Sequence, residues 1–360
     1  MRNARSSLLA AAAAMLMLSA CSASTQSTKP SKWRIETHLE SKVPGSYACT
    51  PSGRCLSVVR TKSRGYEMVS FGPNLVTETW RVLSSLSPEQ PIACASLSIC
   101  EGFEGADNSG GDGPVFSMLR TVDAGRHWVR QVIPRGFEPL GVACPSTLEC
   151  IATGLDVHPF STTMFLTTDG GREWTRSELP DGFSEAQRAN FEVQCPSRSV
   201  CYATPFTGPN QVLVTRNFAK TWAAIPIRIP KGTYLGEMSC STTTACTVLT
   251  SSHMGGPGAV ENALWITGGG SGERMGTALP NGDFSYAGLS CISASVCEVV
   301  GYPTYGGGTH AAQTDNGGLT WTTQAFPLNV EQLGVWCKSA VECSGVGSLN
   351  GHFVITRYGA

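Results

Sequence analysis

Charge is scarce in this chain of 360 residues. Only 15% of residues are charged, 26 Lys and Arg face 27 Asp and Glu, and the formal net charge is −1. That balance excludes the basic patch that broad nucleic-acid binding requires. Long apolar runs are scarce too. Beyond the first twenty residues no segment reaches the roughly 20 apolar residues of a spanning helix. The six histidines show no compact H-x-x-x-H spacing, so no two are placed together as metal ligands. Asp107 and Asp112 stand among glycines but lack the ligand order of an EF-hand loop, and they read as solvated turn residues. No metal and no cofactor is implied.

Glycine (40), proline (21) and cysteine (15) are plentiful instead. The chain opens with MRNARSSLLAAAAAMLMLSACSAS, in which Arg2 and Arg5 precede an apolar run from Leu8 to Leu18. Positive start, short apolar run and small residues make residues 1–20 a secretory signal. Leu18-Ser19-Ala20-Cys21 resembles the lipobox of bacterial lipoproteins. That resemblance implies cleavage before Cys21 and a lipid on it, the alternative being an ordinary signal peptide. Residues 21–31, CSASTQSTKPS, are polar and read as a flexible tether. The expected location is the outer side of a bacterial membrane, held there by the lipid alone.

The other fourteen cysteines fall into seven C-x5-C pairs: Cys49 and Cys55, Cys94 and Cys100, Cys144 and Cys150, Cys195 and Cys201, Cys240 and Cys246, Cys291 and Cys297, Cys337 and Cys343. The first members are 45, 50, 51, 45, 51 and 46 residues apart. A second motif runs in phase. It reads TVDAGRHW with Asp123, Gly125 and Trp128, then TTDGGREW with Asp169, Gly171 and Trp174. It recurs as TRNFAKTW with Asn217 and Trp222, and as TDNGGLTW with Asn316, Gly318 and Trp321. This octapeptide resembles the Asp-box, or BNR repeat, S/T-x-D-x-G-x-T-W, from which Asn217, Ala219 and Asn316 depart. Repeat five is eroded to TGGGSGER, and repeat one keeps only Trp80. Aspartate and glycine suit a tight turn. In Asp-box folds that turn joins the third and fourth strands of a propeller blade, and 45–50 residues suit one four-stranded blade.

The two ends complement each other. The last repeat stops without a tryptophan strand, and KWRIETHL near the start is a tryptophan strand without a box. Residues 32–360 are therefore expected to form an all-β, seven-bladed propeller with four-stranded blades, Trp33 to Leu39 completing the last one. Closure removes exposed strand edges. Each C-x5-C pair is expected to staple the first two strands of its blade. Zinc is the alternative, disfavoured by the x5 spacing and by export, which oxidises thiols.

Both repeated turns would share one face, leaving the variable loops on the other, where binding groups commonly sit. Candidate binding residues there are Arg60, Arg64, Tyr66, His158, His253, Tyr305, His310 and His352. The Asp-box also occurs in sialidases, which carry an Arg-Ile-Pro motif near the domain start and a tyrosine nucleophile with a glutamate. Here Arg228-Ile229-Pro230 comes late and Tyr66-Glu67 are merely adjacent. From Trp33 to Ala360 the chain is more similar to non-catalytic BNR propellers, such as the photosystem II assembly factor-like lipoproteins and BNR/YVTN-like exported proteins. That resemblance implies docking of a protein or glycan partner by a monomeric, membrane-anchored scaffold. A glycan-active hydrolase of sialidase or glycosidase type is the alternative.

Overall fold

The computed structural model describes residues 32–39, 42–50, 52–61, 65–72, 78–81, 90–107, 115–134, 136–156, 161–181, 183, 191–205, 210–252, 261–270, 272–280, 284–303, 311–327 and 329–359. They form seven four-stranded antiparallel sheets, the blades of a β-propeller. Blade 1 consists of Lys42–Cys49, Cys55–Thr61, Tyr66–Phe71 and Glu78–Arg81, in that order from the axis outward. Five further blades repeat the order. The seventh takes Val330–Ser339, Glu342–Leu349 and His352–Gly359 from the end of the chain and Lys32–Leu39 from its beginning. Pairing runs from Lys32 opposite Gly359 to Leu39 opposite Phe353. The expected closure is thus the observed one.

Three contacts hold that closing strand. Trp33 is buried against Phe326 and Tyr358, with ring centroids 5.0 and 5.7 Å away. Its indole N–H donates to Gln324 Oε1 at 2.7 Å and reaches Glu298 Oε1 at 3.3 Å, both on blade 6. Glu36 pairs with Arg357 at 2.8 Å, and Arg357 also donates to the carbonyl of Gly72 on blade 1. The closing strand therefore holds blade 6 directly and reaches blade 1 only through Arg357 of its neighbour in blade 7.

All fourteen paired cysteines are in disulfides, each first cysteine bonded to the second of its pair. Their Cα atoms lie 3.9–4.1 Å apart across the hairpin of the two inner strands. No described thiol is left for zinc. The ring each bond closes is short, so the chain-entropy contribution is about 2 kcal/mol per staple.

The octapeptide turns explain their own sequence. Thr121, Thr167, Thr215 and Thr314 each accept, on Oγ1, the amide four residues on, at 2.8–2.9 Å. Each hydroxyl donates to Oδ1 of the residue two on, and that oxygen also accepts the amide six after the threonine. Asparagine supplies the same Oδ1 as aspartate, which is why Asn217 and Asn316 are tolerated. The third and fourth positions after the threonine have positive φ, from 54° at Phe218 to 83° at Gly125 and Gly171. Glycine is favoured there because it has no Cβ to clash.

The fourth position also faces the preceding blade. A Cβ on Gly171 would lie 2.0 Å from the Gln131 amide. Blade 4 carries Ala219 there instead, and the corresponding residue of blade 3 is the smaller Ser177, whose hydroxyl donates to the Ala219 carbonyl. Gln131, Ser177 and Gln324 each stand three residues after a box tryptophan. They hold the indoles of Trp174, Trp222 and Trp33 respectively. Trp33 thus occupies the box-tryptophan place of blade 7.

Candidate functional site

The two repeated turns lie on one face and are bonded to each other. The amide of Ala124, Gly170, Phe218, Gly269 or Gly317 donates to the carbonyl two residues before the second cysteine of its blade, at 2.8–3.1 Å. Eroded blade 5 keeps this bond through Gly269 and Thr244, since it needs only backbone. Asp123 and Asp169 are consumed in these turns. Burial works against the Asp123 charge, yet the His127 amide and ring and the Thr121 hydroxyl hold its carboxyl down, to about 2. The Glu173 amide chiefly does the same for Asp169.

On the opposite face the structure describes three of the eight candidate binding residues. Arg60 and Tyr66 pair across two strands of blade 1, Arg60 exposed and Tyr66 half-buried against the core. His352 lies on adjacent blade 7. Arg64, His158, His253, Tyr305 and His310 lie outside the described residues. One association was invisible in the spacing: ring closure sets the His38 and His352 rings edge to face, 5.7 Å between centroids. The Tyr66-Glu67 neighbours do not converge, because successive strand residues point to opposite sides, and Glu67 is ion-paired with Lys42.

A concave site opens along the propeller axis on the cysteine face. Its cavity measures about 760 Å³ and draws lining residues from all seven blades. The residues just before the first cysteines form its wall. Blades 1 to 3 offer Ala48, Ala93 and Ala143; blades 4 to 6 offer Gln194, Ser239 and Ser290; blade 7 offers Trp336. The polar three have local work. Gln194, Ser239 and Ser290 accept the amides of Cys240, Cys291 and Cys337, each in the next blade, at 2.8–3.2 Å.

One ring deeper, three residues before each first cysteine, stand Ser46, Pro91, Gly141, Glu192, Glu237, Gly288 and Gly334. Close packing demands small residues at several of these places. A Cβ on Gly334 would lie 1.9 Å from Tyr47 Oη, and one on Gly288 would lie 2.9 Å from the Gly334 Cα. Glu192 and Glu237 are the exceptions. Glu192 accepts the Met238 amide at 2.9 Å and the Gln194 side chain at 3.4 Å. Burial, then the neighbouring Glu237, pushes its carboxyl well up. Glu237 is exposed to the cavity, and the protein around it pushes its carboxyl up. Tyr47, which accepts the Val335 amide, is pushed up by burial and then by both glutamates. Sequence reading passed over this ring, although its signal was present: aligned on the cysteines, only blades 4 and 5 depart from Ser, Pro or Gly. Among the described residues, no three His, Cys, Asp or Glu side chains gather as metal ligands.

Fold and cavity together define a seven-bladed β-propeller closed by its amino-terminal strand. No protein-family model matches the chain, and no curated protein matches it in sequence. Solved structures do resemble it. The GH74 xyloglucanase of Xanthomonas campestris superposes with a TM-score of 0.62 at 13% identity over 89% of this chain, which spans about half (53%) of that enzyme. YCF48 from Cyanidioschyzon merolae gives 0.60 at 12% identity, covering 91% of this chain and 98% of that one. A structure of YCF48 bound to D1 peptide gives 0.59 at 10%, covering 93% and 96%. At such identities the likeness is one of fold. These structures of like fold include one with a bound peptide and one of a xyloglucanase.

Proposed function

We propose that this chain is an exported, lipid-anchored binding propeller that holds a polypeptide partner on its variable face without chemically altering it. One observation carries the reading. In five blades the cysteine hairpin and the octapeptide turn are bonded to each other, which commits their face to the scaffold and leaves the opposite loops free to vary. The first residue of the closing strand supports the same orientation. Lys32 pairs with Gly359 near the cysteine face, so a tether running back to a lipid on Cys21 starts from that face and turns the variable loops away from the membrane. The peptide-bound YCF48 structure is an instance of a ring of this fold holding a polypeptide. Against catalysis stand the divergence of Tyr66 from Glu67 and the engagement of both Glu192 oxygens by protein donors.

The test is mild crosslinking in the native membrane, followed by purification through this chain. A parallel sample carries alanine at Arg60, Arg64, Tyr66, His158, His253, Tyr305, His310 and His352. A protein captured by the unaltered chain and lost from the substituted one is the expected result. Equal capture by both defeats the assignment to this face. Turnover of any member of a panel of aryl glycosides and polysaccharides, abolished by substituting a carboxylate, would replace docking with glycan hydrolysis or cleavage.

A further inference from the structure

Blades 2 and 6 carry the same constellation with one exchange. In each, the residue after the second cysteine is a buried glutamate, Glu101 in blade 2 and Glu298 in blade 6. In each, a glutamine of the outer strand lies against that glutamate and holds the tryptophan of the next blade. Gln131 serves Glu101 and Trp174; Gln324 serves Glu298 and Trp33. The cross-strand neighbour differs. Arg120 stands opposite Glu101, ion-pairs with it and donates to the Thr147 carbonyl of blade 3. Gln313 stands opposite Glu298 and donates to the Ala340 carbonyl of blade 7. Thr147 and Ala340 are equivalent, each three residues after a first cysteine, so Gln313 occupies the place of Arg120 without its charge.

Glu298 is 1% exposed, and the polar side chains on it are neutral: Trp33, Gln324 and Gln313. The bonds it accepts, 3.3 Å from Trp33 and 3.2 Å from Gln324, are longer than charge-assisted ones. The titratable group its charge reaches is Tyr358, whose hydroxyl is pushed up by burial and then by Glu298. Lys338 of the neighbouring blade is largely exposed and lies 3.7 Å from Glu342. A carboxyl group buried without a cation takes up a proton instead of ionising. Burial pushes Glu101 up, to about 7, even against Arg120. Glu298 lacks that offset, and burial holds it well above the ordinary carboxylate range. Trp33 connects this group to ring closure, since its strand completes blade 7. We propose that Glu298 is a proton-dependent latch on the closing strand: the seam between blade 6 and Lys32–Leu39 stays shut while this carboxyl is protonated and opens more often once it ionises. Opening admits water to the carboxylate, and ionisation favours the state in which the group is hydrated. The value in the closed ring lies above the ordinary 4.5. The stabilisation is therefore complete below that ordinary value and is lost as pH rises toward the closed-ring value. This inference rests on blade 6 and the closing strand and is independent of what docks on the variable loops.

The experiment is amide hydrogen exchange of residues 32–39 in the intact, oxidised protein, read by mass spectrometry between about pH 5 and pH 8 and corrected for the intrinsic exchange rate at each pH. Linkage to one proton allows protection to fall by at most about tenfold per pH unit, and a fall of at least about tenfold from pH 5 to pH 7 is expected. Glu298→Gln should keep protection constant over the same range. Gln313→Arg, which copies Arg120, should end the fall at a lower pH than in the unaltered protein. Protection of residues 32–39 that does not change with pH in the unaltered protein overturns the proposal. So does a fall of the same size in Glu298→Gln. If that variant does not fold, Gln313→Arg decides: the same fall over the same pH range as in the unaltered protein would mean that Glu298 is not the group responsible.

Discussion

Removing Trp33 should open the ring. The side chain is 3% exposed and packs between Phe326 and Tyr358. Truncating a buried tryptophan to alanine costs about 3–5 kcal/mol. Trp33→Phe keeps most of the apolar contact and loses the indole N–H, leaving Gln324 Oε1 and Glu298 Oε1 without that donor. An unmet buried acceptor costs about 1–3 kcal/mol. Unfolding entropy is about 2 cal/mol/K per residue, or about 0.7 kcal/mol/K for a ring of roughly 330 residues. Trp33→Ala should therefore lower Tm by about 4–7 °C and Trp33→Phe by about 1–4 °C. Deleting residues 32–39 should do more, because it strips a whole strand and exposes the edge of His352–Gly359, inviting association between copies. Calorimetry of the three oxidised variants, with light scattering for the deletion, makes the measurement. If Trp33→Ala melted within a degree of the unaltered protein, the closing strand would not hold the ring and the reasoning would be wrong.

Three other outcomes follow from the same contacts. Gly171→Ala places a Cβ at φ +83° and 2.0 Å from the Gln131 side chain, so the urea midpoint should fall by an amount equivalent to about 1–3 kcal/mol; the double variant with Gln131→Ser, copying the Ser177–Ala219 pair, should recover part of it. Replacing Cys144 and Cys150 together by serine should cost about 2 kcal/mol and leave the other six bonds paired as before, which peptide mapping under non-reducing conditions checks. The Asp123 carboxyl titrates below its ordinary value, so its contribution is complete above about pH 4 and is lost as pH falls toward 2; Asp123→Asn should keep the turn, as Asn217 and Asn316 do, and flatten that part of the acid-unfolding curve.

Much of this architecture was readable without coordinates, and the reason is local. A cysteine pair six apart, a Thr-x-Asp-x-Gly turn and a strand all report geometry within a few residues, and seven copies make each report redundant. The complementary ends extended that reading to closure, because a blade lacking its last strand and a strand lacking its blade have one economical solution. Asn217 and Asn316 looked like erosion of the motif, but the chemistry that matters is Oδ1, which both side chains own. Blade 5 looked lost, yet its docking bond uses the Gly269 amide and the Thr244 carbonyl, which no side-chain pattern records.

What the amino-acid sequence determined by itself is therefore the repeat, the disulfide partners, the turns and the place of Trp33. Tertiary structure alone decided which side chains from different blades meet. His38 and His352 touch only because the ring closes, and Glu67 is paired with Lys42 rather than poised beside Tyr66. Glu192 and Glu237 meet between neighbouring blades 4 and 5, and Tyr47 of blade 1 feels both only because the ring brings it round to them. Spacing along a chain encodes the hand and period of each blade. It does not encode the distance across the central cavity, which depends on how seven separately formed sheets pack around it.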